Sequence, residues 1–199
     1  MIAVLQNHLS IEQYLQWEEK QEEKHEYVNG MIYAMAGATE NHVSITANFT
    51  AIILTHLRGN QCKVLSSDMK VNIAVKNIYY YPDILVTCDE RDRQSKKHKS
   101  YPCVIIEVLS NSTEAKDRGV KFANYQTIET LQEYVLVNQQ EQRIEVFRRT
   151  DRKFWLLQTY TAGELIELQS INLQISIDAI YEDVDLLAES SEAILESTI

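Results

Sequence analysis

Residues 101–110 read YPCVIIEVLS, and this segment decides how the rest of the chain is interpreted. Its nearly continuous apolar run is typical of a β-strand that is buried on both faces. Glu107 interrupts the run, and because an unpaired buried charge is costly, its carboxylate must face solvent, pair with a cation or bind a metal. The segment therefore predicts a central sheet that carries an acidic side chain near the end of one strand.

The segments before this strand predict both helices and strands. The S-x-x-Q pattern of residues 10–13 predicts a capped helix start, and Asn29-Gly30 between short β-compatible runs predicts a hairpin. Apolar residues recur at steps of three or four between residues 40 and 57, which predicts a second helix. Further strands are predicted in CKVLS, MKVNIAV and DILVTC.

The segments after the strand complete the predicted domain. A helix is predicted from Ser112 or Thr113 to about Ile128, followed by strands in EYVLV, RIEVFRR and FWLLQTY. The predicted fold class is α/β (α+β), with a mixed central sheet flanked by helices, an N-terminal helix-hairpin and a C-terminal β-meander. We expect a single domain over residues 1–180 and an acidic C-terminal tail over residues 181–199.

Charge is unevenly distributed along the chain. Lys and Arg number 19 against 29 Asp and Glu, and the resulting net charge of −10 argues by itself against a nucleic-acid binder. Residues 181–199 contribute six acids and no base, whereas residues 91–99 and 143–153 carry net charges of +4 and +3. The remainder is therefore mildly acidic, with two basic segments available for phosphate contacts.

The cysteines and the hydropathy pattern exclude other classes. Cys62, Cys88 and Cys103 stand in apolar, strand-like segments without a CxxC spacing, so we expect buried thiols and a cytoplasmic, reducing location. The longest stretch without Asp, Glu, Lys or Arg, residues 41–57, contains His, Ser, Thr and Asn and does not resemble a membrane span. Residues 1–13 lack the basic start and clean apolar run of a signal peptide.

Common catalytic motifs are missing from the sequence. It contains no Gly-rich phosphate loop, no G-x-S-x-G and no HExxH. The five histidines form no i,i+4 pair, so a helical histidine such as His42 is not expected to bind a metal. Nothing in these patterns supports a cysteine or histidine enzyme.

Asp83 and Glu107 are the pair that points to chemistry. Asp83 follows Pro82 at the start of DILVTC, 24 residues before Glu107. If the two strands are neighbours, their carboxylates converge at one end of the sheet and offer hard oxygen donors to Mg²⁺. The simpler interpretation of Pro82-Asp83 is a turn that leads into a strand.

The following helix adds a cation to this pair. Asp117, Lys121 and Tyr125 are spaced by four residues, so they share one helix face. They can form an ordinary surface Asp–Lys pair of small energetic value. Alternatively, Lys121 reaches over the end of the sheet, where its ammonium would orient a water molecule or offset charge on a phosphate.

A family resemblance covers about residues 10–180. The chain resembles the bacterial restriction endonuclease-like family of the PD-(D/E)XK nuclease superfamily. The ordered residues that carry the resemblance are Glu26-Tyr27-Val28-Asn29-Gly30, the helix after His42, Ser67-Asp68, Pro82-Asp83, Glu107-Val108-Leu109-Ser110, Thr113, Asp117, Lys121, Tyr125 and Glu133-Tyr134. The resemblance implies a restriction-endonuclease-like core and Mg²⁺-dependent cleavage of DNA phosphodiester bonds, with Mn²⁺ as the alternative cofactor.

The resemblance also implies roles for individual residues. Asp83 and Glu107 would hold the metal, Glu26 would be a further metal ligand, and Lys121 would join Asp83 and Glu107 in the catalytic set. The superfamily motif places lysine two residues after the glutamate, where this chain has Leu109, so Lys121 is the best match.

Lys116 is the nearest competitor for the catalytic lysine. On an α-helix its side chain should point about 140° away from that of Lys121.

The predicted DNA contacts are the basic side chains of residues 91–99. These are Arg91, Arg93, Lys96, Lys97 and Lys99, which would meet backbone phosphates and set register rather than sequence. A solvated loop is the equal alternative, and the bases of residues 143–153 are the second choice. Cleavage of palindromic duplex DNA would favour a homodimer.

A catalytically weak or inactive nuclease-fold module, which binds nucleic acid or protein, is the alternative function. The net charge of −10 and Leu109 favour this alternative. The presence of Asp83, Glu107 and Lys121 opposes it.

Overall fold

Strands dominate the computed structural model, which describes residues 8–151 and 153–186. Its strands are β1 (His25–Val28), β2 (Met31–Ala34), β3 (Lys63–Ser66), β4 (Lys70–Ile73), β5 (Ile78–Tyr80), β6 (Ile84–Thr87), β7 (His98–Lys99), β8 (Val104–Leu109), β9 (Glu133–Asn138), β10 (Arg143–Arg149), β11 (Trp155–Thr161), β12 (Leu165–Leu168) and β13 (Leu173–Ser176). Its helices are α1 (Ile11–Glu18), α2 (Glu40–His56), α3 (Arg91–Gln94), α4 (Glu114–Lys116), α5 (Phe122–Tyr125) and α6 (Ile177–Ile180), and a π-helical segment, Asp117–Lys121, joins α4 to α5.

The central sheet has six strands in the order β11-β10-β9-β8-β6-β3. β8 and β9 are parallel and the other neighbours are antiparallel, so the sheet is mixed. A second sheet has the order β2-β1-β5-β4-β7, and β12 and β13 form a separate hairpin. This mixed α+β architecture confirms the predicted fold class.

The N-terminal helix-hairpin follows directly from local sequence. The side chain of Ser10 accepts a hydrogen bond from the Gln13 amide, and the side chain of Gln13 accepts one from the Ser10 amide, which completes the capping box. Asn29 and Gly30 have φ angles of 50° and 94°, the positive values that a tight turn between β1 and β2 requires. Both predictions are confirmed.

The two faces of β8 pack against different layers. Val104, Ile106 and Val108 lie in the core formed with α2 and the β12–β13 hairpin. The alternate residues Ile105 and Leu109 lie in a second core, formed with the second sheet and α5. Glu107 shares the parity of these alternate residues and is only 3% exposed, so the strand itself directs a carboxylate into the interior.

Residues 91–99 contain two short regular elements and do not form the solvated loop that was one interpretation of their sequence. α3 and β7 occupy this segment, and β7 pairs in parallel with β4. Buried Asp92 organises it, because its carboxylate accepts hydrogen bonds from Thr87 Oγ1 and the Ser100 amide. Lys99 is buried as well, and its ammonium donates to the backbone carbonyls of Asp92 and Ser95.

The expectation of three free thiols is wrong for two of the cysteines. β3 and β6 pair with Lys63 opposite Thr87, and this register places Cys62 and Cys88 side by side as a disulfide. Cys103 keeps its thiol 3.9 Å from the Cys88 sulfur, and burial raises the pKa of Cys103 to about 11. The pairing depends on strand register, which three scattered cysteines do not reveal.

The chain beyond residue 180 begins as packed structure. Tyr181 is buried, and its hydroxyl donates to the Asn138 carbonyl at 2.5 Å. Val184 and Leu186 also pack against the core, whereas residues 187–199 of the predicted tail lie outside the described residues, as does Arg152 of the second basic segment. None of the helices in the described ranges has both the length and the apolar character needed to cross a membrane.

Candidate active site

A cavity of about 960 Å³ opens at the end of the central sheet where β6 begins and β8 ends. Asp83 directly precedes β6, and Glu107 lies near the end of β8. Because these strands are antiparallel neighbours, both carboxylates line the same cavity. Lys116, Asp117 and Lys121 line it from the helix that follows β8.

The Lys121 ammonium lies among three carboxylates. Its Nζ is 2.8 Å from Glu107 Oε1 and 3.3 Å from both Glu26 Oε1 and Asp117 Oδ1. The Tyr125 hydroxyl donates a 3.1 Å hydrogen bond to the same Glu107 oxygen. Asp117, Lys121 and Tyr125 therefore share one side of the helix, and that side faces Glu107.

Glu26 binds two ammonium groups. It lies on β1 with 2% exposure, and its oxygens form ion pairs with Lys116 and Lys121. The prediction that Lys116 points away from Lys121 is wrong, because residues 117–121 form a π-helical turn. The wider i→i+5 repeat of this turn brings residues five apart toward the same side.

Asp83 is held from two neighbouring elements. Its Oδ2 accepts a 2.7 Å hydrogen bond from the Val108 amide and lies 3.2 Å from Nε2 of His42, on α2. Burial by itself lowers the pKa of His42, but the hydrogen bond and charge of Asp83 outweigh burial and raise it. The carboxylate is thus fixed at the cavity wall before any ligand binds.

The acidic groups perturb one another. Burial, with the two nearby aspartates, raises the pKa of Glu107 well above that of an ordinary glutamate. Burial opposes the charge of Lys121, yet Glu107 and Glu26 outweigh it and raise the pKa of Lys121. Burial raises the pKa of Glu26, but its two lysine partners outweigh that effect and lower it. The neighbours of Glu107 therefore compensate its negative charge only in part.

The donor set fits a hard divalent cation. Asp83 and Glu107 supply carboxylate oxygens, and Mg²⁺ typically binds one or two carboxylates and completes its coordination with water and phosphate. Across the residues that the structure describes, no group of three or more His, Cys, Asp or Glu side chains is arranged to hold a metal. The predicted set of Asp83, Glu107 and Glu26 is not assembled as such, because the Glu26 carboxylate is ion-paired with two lysines.

The predicted DNA contacts lie outside this cavity. None of the following residues is part of its lining: Arg91, Arg93, Lys96, Lys97 and Lys99. α3 comes after the end of β6 that is remote from Asp83. Arg91 is ion-paired with Asp89, and Lys97 with Glu19, at the surface.

The contacts of two cavity residues could not be inferred from the sequence. His42 stands alone on a helix, and only the packing of α2 beside β6 reveals that it contacts Asp83. Lys116 becomes a partner of Glu26 through a π-helical turn that no spacing rule indicates.

The comparisons with known sequences agree with the resemblance. Residues 11–179 match the family Uma2, described as "Putative restriction endonuclease". Two relatives from Synechocystis sp. are named "Uncharacterized protein slr1290" and "Uncharacterized protein sll1609". The first is 46% identical over 173 residues, with 87% of this chain and 91% of the relative covered. The second is 35% identical over 171 residues, with 85% and 96% covered.

A solved structure shares the fold. The crystal structure of a "putative nuclease belonging to DUF820" from Anabaena variabilis superposes with a TM-score of 0.72, covering 87% of this chain and 97% of that one. The two sequences are 16% identical, so the match concerns the fold alone.

Proposed function

This chain belongs to the Uma2 family, and on that premise we propose that it is a metal-dependent endonuclease that hydrolyses DNA phosphodiester bonds. The observation that carries the proposal is the meeting of Asp83, Glu107 and Lys121 in one cavity. Two carboxylates and one ammonium meet in this cavity, although Asp83 and Lys121 are 38 residues apart in the sequence. A purely structural ion pair would not need a cavity beside it.

Asp83 and Glu107 would hold Mg²⁺ or Mn²⁺. When bound, the cation supplies a water of lowered pKa and neutralises charge on the scissile phosphate. The Val108 amide and His42 hold the Asp83 carboxylate in place, and Tyr125 does the same for Glu107. These partners fix the direction in which both carboxylates face the cavity.

Lys121 would position the attacking water and offset charge on the phosphate. Its ammonium is kept charged by the surrounding carboxylates, and its 2.8 Å contact with Glu107 places it beside the proposed metal ligand. Glu26 and Asp117 restrain the lysine from its other sides. We assign Glu26 to this restraint rather than to the metal.

The alternative, a nuclease-fold module without cleavage, is favoured by one observation. Lys121 already neutralises part of the charge that a cation would have to meet, through its contacts with Glu107 and Glu26.

Metal binding and cleavage together decide between these functions. We expect Mg²⁺ to raise the thermal midpoint of the wild-type protein and to support cleavage of single-stranded and plasmid DNA, with no cleavage in EDTA. Asp83→Asn should lose both effects, whereas Asp178→Asn, an exposed aspartate on α6, should keep both. Metal stabilisation without cleavage of any DNA would support the non-cleaving module.

A further inference from the structure

The proposed catalytic groups and His42 lie deep within the cavity. Glu107 is 3% exposed and Lys121 6%, and the side chains of Asp83 and His42 are each 16% exposed. A phosphate must therefore enter the cavity to meet them. A backbone held on the outside of a rigid duplex is poorly suited to do so.

The cavity lacks the cations that usually grip duplex DNA. Among the described residues, no arginine lines it, and its three lysines are Lys24, Lys116 and Lys121. Each of these lysines has a carboxylate partner. Proteins that bind duplex DNA typically neutralise a row of phosphates with Lys and Arg, and this cavity offers no such row.

Two of the three arginines of β10 are also engaged within the fold. Arg148 donates to the Glu133 carboxylate and the Glu167 carbonyl. Arg149 donates to three backbone carbonyls in the segment that joins α5 to β9. Arg148 and Arg149 therefore offer little cationic surface to a DNA backbone, and the exposed Arg143 and Lys153 lie outside the cavity lining.

Neutral hydrogen-bonding groups line the cavity instead. Amides and hydroxyls are contributed by Ser110, Asn111, Ser112, Gln139 and Gln140. The side-chain Nε2 of Gln140 donates to Asn111 Oδ1 at 3.2 Å, and Thr39 Oγ1 donates to Gln139 Oε1 at 2.6 Å, so each contact orients the two side chains that form it. Amides offer both donors and acceptors, the groups that pair with base edges.

We propose that the cavity takes an unstacked nucleotide of a single-stranded nucleic acid, held by neutral amides and hydroxyls beside the carboxylate pair. The volume of about 960 Å³ lies at the upper end of pockets that enclose small molecules, and bases outside a duplex expose the edges that amides bind. This inference rests on the proposed function for its chemistry. It specifies the substrate class, which is a single strand in preference to a regular duplex.

Binding and cleavage of matched oligonucleotides test the proposal. A 20-nucleotide DNA strand and the same strand annealed to its complement are compared by fluorescence anisotropy in Ca²⁺ and by cleavage in Mg²⁺. We expect the single strand to bind and to be cleaved about tenfold better. Each phosphate contact with a single strand contributes about −0.7 to the slope of log affinity against log salt. We expect the cavity to contact few phosphates, so the slope should be shallower than about −2.

Equal or better use of the duplex, or a steep salt slope, would overturn the proposal while leaving the nuclease assignment intact. If neither form is cleaved, the proposed function fails, yet the anisotropy comparison still decides the preferred form. Binding of neither form would overturn the proposal as well.

A double variant of the cavity lining and a matched control complete the experiment. Asn111→Ala/Gln140→Ala should raise KM for the single strand several-fold with little change in kcat. Gln174→Ala removes an exposed amide on β13, outside the cavity, and should change neither constant. An unchanged KM in the double variant would exclude these amides as the contacts.

Discussion

Two buried glutamates on neighbouring strands have opposite surroundings. Glu133, on β9, is 0% exposed and accepts hydrogen bonds from the Gln169 and Ser170 amides at 2.9 and 3.0 Å, from the Ser170 hydroxyl, and from Arg148 at 3.2 Å. Glu107, on β8, is 3% exposed, borders a cavity and shares one lysine with two other acids.

The difference separates an acid whose charge the fold compensates from an acid that is a candidate metal ligand. Four donors surround Glu133, so its charge is compensated within the fold and little is gained by adding a cation. Glu107 has a raised pKa because burial and neighbouring acids oppose its charge. A bound cation would relieve that cost, so incomplete compensation beside a cavity, rather than burial alone, is what makes Glu107 a candidate.

Substitution of Glu107 should give the largest effect. Glu107→Gln keeps the side-chain volume and removes the charge of a proposed metal ligand, so we expect cleavage to fall by about a thousandfold or more. Circular dichroism should show an unchanged fold. An active Glu107→Gln protein would remove Glu107 from the proposed metal site, and an unfolded one would place it with Glu133 as a structural acid.

Substitutions of Lys121 and Lys116 should lower the cleavage rate by different amounts. Lys121→Gln removes the ammonium beside Glu107 and should lower kcat by about a hundredfold. Lys116→Gln removes an ion-pair partner of Glu26 and leaves the contact between Lys121 and Glu107 in place, so we expect a loss below tenfold. Because both variants leave buried acids less compensated, single-turnover rates are measured on protein shown to be folded. Equal losses would assign the catalytic position to both lysines.

Glu133 should matter for stability instead. Glu133→Gln leaves the Arg148 charge without its partner and replaces one acceptor oxygen by an NH₂ group, so the free energy of unfolding should fall by about 3 kcal/mol. Cleavage per folded molecule should be unchanged. Chemical denaturation gives the first quantity and active-site-normalised rates the second. A catalytic defect at full stability would erase the contrast between the two glutamates.

The pH dependence of stability should report the raised pKa of Glu107. Glu107 has a folded-state pKa raised above 4.5, so the unfolded chain releases this proton first. In EDTA the wild-type protein should therefore lose stability relative to Glu107→Gln as pH rises from about 4.5 through the raised pKa, by about 1.4 kcal/mol per pH unit. Above that window the difference should be constant. Urea titrations from pH 4 to 8 measure it, and a flat difference would contradict the raised pKa.

The surface bases of residues 91–99 should give the smallest effect. Arg91, Arg93, Lys96 and Lys97 are exposed and lie outside the cavity lining, so changing all four to Gln should flatten the salt slope by no more than about 0.9, the value of one duplex contact. Lys99 is kept because it is buried within its own segment. Flattening by about 0.9 for each lost charge would restore the sequence-based prediction of a phosphate-contacting segment.

Part of the fold follows from local patterns. The capping box of Ser10 and Gln13, the Asn29-Gly30 turn and the buried run of β8 are properties of short segments, and the structure shows all of them. The strands β5, β7, β12 and β13 were not predicted, because their two to four residues lie in segments where no alternation or turn signal set them apart from the connections around them.

The sequence by itself determined where the candidate residues stand in their strands and helix. Asp83 and Glu107 stand at strand ends, and Lys121 shares a helix face with Asp117 and Tyr125. These placements depend on periods of two and about four residues, which the order of residues specifies directly.

Only the tertiary structure decided how the charges are compensated. Glu26 meets its lysines across about 90 residues, His42 meets Asp83 across about 40, and Glu133 meets Ser170 across 37. Contacts over such separations are set by strand register and by the packing of α2, and the π-helical turn at residues 117–121 rotates Lys116 into place. Since the cost of a buried charge depends on its partners, the sequence could show that Glu107 and Glu133 are acids in strands, but only the assembled fold distinguishes their surroundings.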